Sequence, residues 1–210
     1  MSKPLLRSAP VSPAVFVGLS GGLDSSVLLH LLAQQFKNTG IELQAVHVHH
    51  GLHPHADDWA LHCQQQCDAL SIRLHTLRIT ITEPSRNLEQ QARDARYLAF
   101  SSILPQDSTL ALAHHQNDVA ETLLLRLMRG SGTNALANMQ CHQMRDAYHV
   151  WRPLLDCSRL ELETYAREQQ LTWIDDSSNA DQRFDRNFIR HAVLPLLEQR
   201  FPKAPQRLAH

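Results

Sequence analysis

The sequence predicts an α/β protein in which helices cover both faces of a parallel, five-stranded, Rossmann-like sheet. Short apolar, β-branched runs alternate along the chain with longer amphipathic stretches. Parallel strands joined by crossover helices require this alternation. The chain has 210 residues, of which 43% are hydrophobic, and this is enough for one sizeable core.

Each element follows from its local pattern. Strands are predicted at residues 14–19, 43–49, 74–79, 109–113 and 148–152. Helices are predicted at residues 24–36, 56–70, 87–104 and 118–129. After Pro153 the pattern changes to a helix at 158–170 and an amphipathic stretch at 188–201 that Pro195 interrupts. We therefore predict a tail at 1–13, a main domain at 14–155 and a small helical extension at 156–210.

Composition places few limits on function. The formal charge of -1 gives no strong positive field, which neither supports nor excludes an RNA partner. The four cysteines lack the spacing of a disulfide scaffold or a CxxC pair, so we expect reduced thiols and a cytoplasmic protein. The segment 1–13 has no long apolar run, so we expect neither a signal peptide nor a membrane span.

The most informative motif follows the first predicted strand. It reads SGGLDS and comprises Ser20, Gly21, Gly22, Leu23, Asp24 and Ser25. Adjacent glycines let the backbone turn tightly, and the helix start supplies unpaired N–H donors, so the loop is suited to hold phosphates. The serines add hydroxyl donors, and the Asp24 carboxylate is a plausible ligand for the Mg²⁺ that accompanies ATP. The alternative is a simple strand-to-helix turn with polar capping residues.

The loop does not fit the motifs of other nucleotide-binding proteins. It lacks the lysine of GxxxxGK[ST], which grips the β and γ phosphates, and it is not GxGxxG. It resembles the SGGxDS signature of the ATP-pyrophosphatase, or PP-loop, superfamily without a mismatch. That resemblance implies cleavage of ATP between its α and β phosphates.

A second motif, HVHHGL, begins at His47 and ends the second predicted strand, where open parallel sheets bind their ligands. Strand alternation places His47 and His49 on one side and Val48 and His50 on the other. Three interpretations stay open: a shelf for adenine involving Val48 and His50, a metal site, because His53 and His55 follow close by, and a solvated histidine-rich loop.

Two further motifs occupy predicted helices. EQQARDARY places Glu89, Arg93 and either Arg96 or Tyr97 on one helical face, as a surface salt-bridge ladder would also do. HHQNDVAET follows the fourth strand. Its acidic residues, Asp118 and Glu121, lie at a helix start, where negative charge is favourable even without a catalytic role.

The order and spacing of these motifs closely resemble the tRNA(Ile)-lysidine synthetase family from about residue 15 to 195. The resemblance also includes the segments RGSG at 129–132 and RPLL at 152–155 and the run DDSSN…RFDRNFIR. The resemblance implies an adenine nucleotide α-hydrolase-like fold. It also implies a ligase that joins free L-lysine to the wobble cytidine of tRNA(Ile) with a CAU anticodon. Adenylation of the base by ATP and Mg²⁺ first creates AMP as a leaving group, with release of pyrophosphate. Two departures are Asn117, where many members have Asp, and the missing C-terminal tRNA-binding domains of the family.

The resemblance also assigns roles to individual residues. Asp118 and Glu121 would hold the lysine ammonium, and Arg93 would contact phosphate or the base. Guanidinium and amide groups near the C-terminus are suited to contact the RNA backbone. These predicted tRNA-binding residues are Arg183, Arg186, Asn187 and Arg190. A homodimer is one assembly that this prediction allows, and the sequence leaves the oligomeric state open.

Two other functions remain open. A tRNA thiolase of the same superfamily would need paired cysteines or an iron–sulfur site, but Cys63 and Cys67 lie in a predicted helix remote from the loop. A nucleotide-sensing module on a similar sheet would bind ATP without releasing pyrophosphate.

Overall fold

The computed structural model describes residues 6–8, 12, 14–51, 54–79, 88–131, 139–145 and 147–209, with backbone only at 88–90 and 177. Its sheet has six strands in the order β3-β2-β1-β4-β6-β5. The strands are β1 (Ala14–Gly18), β2 (Glu42–His49), β3 (Arg73–Arg78), β4 (Thr109–Ala111), β5 (His142–Arg145) and β6 (Tyr148–Trp151). Five strands are parallel, as predicted, and confirm the fold class. The addition is β5, which pairs antiparallel with β6 at the sheet edge.

The main helices also match the predicted pattern closely. They are α1 (Leu23–Phe36), α2 (Ala56–Ala69), α3 (Leu88–Ile103), α4 (Gln116–Met128) and α5 (Arg159–Glu168). Ends differ from the predicted ones by up to two residues, because capping residues and not apolar periodicity set where a helix begins. For example, Ser158 caps α5 by accepting the Glu161 N–H, while the Glu161 carboxylate accepts the Ser158 N–H.

Alternation along the strands builds a separate apolar core on each face of the sheet. Val15 and Val17 of β1 pack with α1 and α5 on one face, whereas Phe16 packs with α3 on the other. All three side chains are buried. Because both faces are covered, the strands read as continuous apolar runs in the sequence. Within the described ranges, no helix has the length and apolar character that a membrane crossing requires.

The C-terminal segment packs on α4. It comprises α6 (Asp185–Phe188), a π-helical turn at Ile189–Val193, α7 (Leu194–Arg200) and α8 (Ala204–Ala209). Ile189 and Leu194 meet Ala120 of α4 in a small third cluster. Pro195 has no N–H to donate and lies just after the π-helical turn, where the helical hydrogen-bond pattern changes. This packing places α6 and the π-helical turn beside the carboxyl end of β4.

Part of the predicted tail also contacts the main domain. The Arg7 backbone N–H donates to the Pro153 carbonyl, and the Arg7 guanidinium forms an ion pair with Asp156. Leu6 packs against the core. Most of the other residues of 1–13 lie outside the described ranges.

Candidate active site

A cavity of about 980 Å³ opens at the carboxyl ends of β1, β2 and β4. The strand order reverses between β1 and β4, and open α/β sheets bind ligands at such a switch point. The volume is at the upper end of the range for small-molecule sites. Most of the predicted site residues line it, namely Ser20, Gly22, Leu23, Asp24, Ser25, Val48, His50, Arg93 and Arg190.

The glycine loop, residues 20–25, joins β1 to α1 and is held by its own serines. Ser25 Oγ accepts the Ser20 N–H at 3.2 Å and donates to the Gly22 carbonyl at 3.0 Å. Ser26 Oγ donates to the same carbonyl at 3.0 Å. Gly22 is the N-cap of α1 and has no side chain to cover the first N–H groups of the helix. The loop is therefore rigid, and its unpaired donors are available to an anion.

Residues 172–176, which we call the brace, are hydrogen-bonded to the glycine loop and to α2. The Ile174 N–H donates to the Gly21 carbonyl at 2.9 Å. Gln66 Nε2, on α2, donates to Ser26 Oγ at 2.9 Å and to the Thr172 carbonyl at 2.7 Å. No local sequence pattern predicts the brace, because its contacts join segments far apart in the chain.

Replacement of Gly21 by alanine should destabilise the protein more than the same change at Gly40. Both glycines have a positive φ, of 86° and 79°, so both substitutions cost about 1–2 kcal/mol of backbone strain. A Cβ at Gly21 would also lie 2.6 Å from Ile174 Cδ1, whereas Gly40 faces open space. We expect Gly21→Ala to cost about 1–3 kcal/mol more in urea unfolding and to weaken ATP binding. Equal unfolding free energies for the two variants would contradict this account of the brace.

The histidines of β2 and its end occupy different surroundings. His47 is buried, and its Nδ1 donates to the Leu19 carbonyl at 2.9 Å. This hydrogen bond fixes the residue that directly precedes the glycine loop. His49 Nε2 lies 3.1 Å from Asp57 Oδ1. His50 lines the cavity with Val48, and burial lowers the pKa of His50 to about 4, so its ring is neutral. Its Nδ1 has no protein partner within the described part of the chain. These positions suit contacts to an uncharged base.

Asp24 faces His115, which sequence reasoning did not select. His115 Nδ1 accepts the Asn117 N–H, so its first proton sits on Nε2. That Nε2 lies 3.6 Å from Asp24 Oδ2 and 3.5 Å from Asp118 Oδ2. Burial acts to lower the pKa of His115, but these carboxylates raise it above its usual value. His115 thus joins the loop at β1 to the start of α4.

Two more residues complete this junction. Arg159 Nη1 lies 3.4 Å from Asp24 Oδ2, at the start of α5. Asn117 Oδ1 accepts the Arg159 N–H at 3.2 Å, so its amide links α4 to α5. Asp24 Oδ1 is buried and has no hydrogen-bond partner among the described residues.

A buried cluster joins the two acidic residues of α4 to two arginines of the C-terminal segment. Arg186 Nη2 donates to Asp118 Oδ1 at 2.8 Å, and Arg186 Nε donates to Glu121 Oε2 at 2.7 Å. Arg190 Nε donates to Glu121 Oε1 at 2.7 Å. The Glu121 side chain is 0% exposed. Burial acts to raise the pKa of Asp118, but His115 and Arg186 lower it below its ordinary value.

The four predicted tRNA-binding residues therefore have different surroundings. Arg186 and Arg190 lie in this buried cluster. The exposed Arg183 pairs with Asp181 at 2.7 Å, and Asn187 Nδ2 donates to the Ser178 and Asp181 carbonyls. Their RNA contacts stay a prediction.

The cysteines do not form a reactive or metal-binding group. Cys63 and Cys67 are buried in α2, and burial raises the pKa of each thiol to about 12. Such thiols stay protonated at neutral pH and are poor nucleophiles. Among the described residues, no three His, Cys, Asp or Glu side chains converge on a point where a metal could bind. His53, which belongs to the metal interpretation of HVHHGL, lies outside the described ranges.

Comparisons with known proteins agree with this geometry. The family model described as PP-loop domain matches residues 3–197. The chain is 50% identical over 207 residues to the tRNA(Ile)-lysidine synthase of Xanthomonas axonopodis pv. citri, covering 98% of this chain and 47% of the relative. It is 50% identical over 200 residues to the tRNA(Ile)-lysidine synthase of Photorhabdus laumondii, covering 93% and 45%. The chain thus spans about half the length of the curated relatives it matches.

A solved structure supports the fold alone. The U34-tRNA thiolase NcsA from Methanococcus maripaludis, with its [4Fe-4S] cluster, superimposes with a TM-score of 0.76 at 17% identity. The match covers 93% of this chain and 69% of that one.

Proposed function

Because the chain belongs to the PP-loop domain family, we propose that it adenylates the wobble cytidine of tRNA(Ile) with a CAU anticodon and joins free L-lysine to that base. The observation that supports this most directly is the rigid glycine loop at the switch point, with the Asp24 carboxylate facing the same cavity. The 50% identity to tRNA(Ile)-lysidine synthases favours cytidine and lysine over other substrates of the family. Action on tRNA implies a cytoplasmic location.

In this proposal, ATP lies across the cavity. Val48 and His50 contact adenine, and the unpaired N–H groups at the start of α1, directly after Gly22, hold the β and γ phosphates. The base oxygen of cytidine attacks the α-phosphorus, and the bond to the bridging oxygen of pyrophosphate breaks. Donors that are already fixed stabilise the charge on the leaving pyrophosphate without further reorganisation.

The residues present also fit Mg²⁺. Asp24 supplies a buried carboxylate oxygen that lacks a hydrogen-bond partner in the described structure, and carboxylate oxygen is the ligand that this hard cation prefers. When bound, Mg²⁺ would neutralise phosphate charge. Arg159 and His115 both approach Asp24 Oδ2 and so leave Oδ1 as the oxygen available to the cation.

In the second step the lysine ε-amine attacks the activated ring carbon, and AMP departs with the former base oxygen. Asp118 and Glu121 are the proposed partners of the lysine ammonium before it loses a proton. Both carboxylates already bind arginines. Lysine binding through them therefore requires that Arg186 or Arg190 move away, because the oxygen atoms of Glu121 are already occupied.

The direct test is incubation of the 210-residue chain with ATP, Mg²⁺, radiolabelled lysine and an unmodified tRNA(Ile) transcript with a CAU anticodon. We expect label in the RNA and equal amounts of AMP and pyrophosphate. The full-length Xanthomonas relative serves as a positive control for the reagents. Release of pyrophosphate without lysine transfer, or sulfur incorporation in its place, would contradict the proposal.

A further inference from the structure

A group of arginines surrounds Tyr97 at the rim of the cavity. The Arg145 guanidinium carbon lies 3.8 Å from the centroid of the Tyr97 ring, and that of Arg93 lies 5.5 Å from it. Tyr97 is 5% exposed, and its ring makes an edge-to-face contact with the Phe100 ring, with the two centroids 6.1 Å apart. Arg145 therefore lies at stacking distance from a buried ring, and Arg93 lies within cation–π distance of the same ring.

Arg152 adds a third positive charge from the hairpin of β5 and β6. It is 4% exposed, and it donates to the Gln140 carbonyl at 2.8 Å and to Gln143 Oε1 at 3.2 Å. Its buried Nε has no partner in the described structure. Burial lowers the pKa of Arg152, and contact with Tyr97 opposes this effect. We call Tyr97, Arg93, Arg145 and Arg152 the Tyr97 platform.

The positive charge of the platform is not balanced within the part of the chain that the structure describes. None of its three arginines forms an ion pair with a described carboxylate, whereas Arg186 and Arg190 are both paired. Stacking uses the face of a guanidinium and leaves its N–H groups in the plane free to donate. Three like charges around one ring, with unused donors at its edge, form a site for an anion.

We propose that the Tyr97 platform binds a backbone phosphate of the RNA beside the nucleotide that enters the cavity. This inference rests on the proposed function. Arg93 and Tyr97 line the cavity, whereas Arg145 lies outside its lining and is partly exposed, so the platform extends from the cavity toward the outer surface through Arg145. Arg152 is buried and adds its charge from below the surface. The ATP phosphates have their own site at the glycine loop of β1. An RNA strand extends beyond the cavity, whereas ATP does not, and this favours RNA as the occupant.

The test uses the 210-residue chain and a labelled 17-nucleotide anticodon stem-loop with a CAU loop, with affinity measured at several salt concentrations. For Arg145→Ala we expect about tenfold weaker binding and a decrease of about 1 in the slope of log affinity against log salt. Arg145→Lys should keep the slope but recover only part of the affinity, because lysine retains the charge without the stacked plane. Arg167→Ala is the matched control, since Arg167 is an exposed arginine paired with Glu163 on α5.

Binding of radiolabelled ATP is measured on the same variants by equilibrium dialysis. Equal RNA affinities for Arg145→Ala and Arg167→Ala would overturn the inference, as would failure of the unsubstituted chain to bind the stem-loop. A tenfold loss of ATP affinity in Arg145→Ala, with RNA affinity kept, would show that the anion belongs to the nucleotide. The proposed function fails separately, if the unsubstituted chain binds RNA but never transfers lysine.

Discussion

Replacement of Asp24 by alanine should reduce pyrophosphate release at least about 100-fold, while the chain still folds. Removal of one group that stabilises transition-state charge typically has an effect of this size. Asp24 is partly exposed, with 28% of its side chain accessible, so the change should cost little stability. The measurement is the rate of RNA-dependent pyrophosphate release at saturating ATP, together with urea unfolding of the same preparation.

A second variant separates the role of Asp24 from its contacts. Asp24→Asn retains the shape of the side chain but loses the charge that a cation or a guanidinium recognises. It should be almost as impaired as the alanine variant. Asp68→Ala, on the exposed surface of α2, is the control for loss of a carboxylate away from the cavity. Full activity in Asp24→Asn would exclude a role for the negative charge.

Replacement of Glu121 by glutamine should lower the free energy of unfolding by about 2–4 kcal/mol. The change removes the buried carboxylate that Arg186 and Arg190 each bind at 2.7 Å and leaves Asp118 as their remaining acidic partner among the described residues. The measurement is the urea midpoint and slope, fitted as a two-state transition. A cost below about 1 kcal/mol would show that the cluster contributes little to stability.

The matched control for this change is Glu163→Gln. Glu163 pairs with Arg167 at 2.6 Å on one face of α5, but the two side chains are 36% and 71% exposed. Such a pair contributes about 0.3–0.5 kcal/mol because water screens it. The contrast between the two variants measures the effect of burial on the same substitution.

The sequence predicted the sheet well because its parallel strands are buried on both faces. β5 was missed because its residues, His142 to Arg145, include three with exposed side chains and show no apolar alternation. Only pairing with β6 makes this segment a strand. α8 was missed for a related reason: Pro205 lies within it, and its Ala204 is buried by contacts that the local sequence does not contain.

The site was predictable where one segment builds it and not where distant segments meet. The glycine loop is local, so its place between β1 and α1 could be predicted, and most of its residues line the cavity. The ion pair between Arg190 and Glu121 joins residues 69 positions apart in the chain. The spacing of apolar residues along a helix or strand cannot predict a contact of this kind. His115 offered one signal that sequence reasoning overlooked. Its place directly before α4 is that of an N-cap, whose side chain turns back onto the helix.

The π-helical turn at Ile189–Val193 fixes how many residues separate two anchors. Arg186, before the turn, and Arg190, within it, reach the carboxylates of α4, and Leu194, directly after the turn, packs into the apolar cluster with Ala120. One residue more or fewer would rotate everything beyond it by about 100° around the helix axis. An insertion or deletion between Arg190 and Leu194 would therefore place one of the two anchors on the wrong side of the helix, even if every side chain were kept.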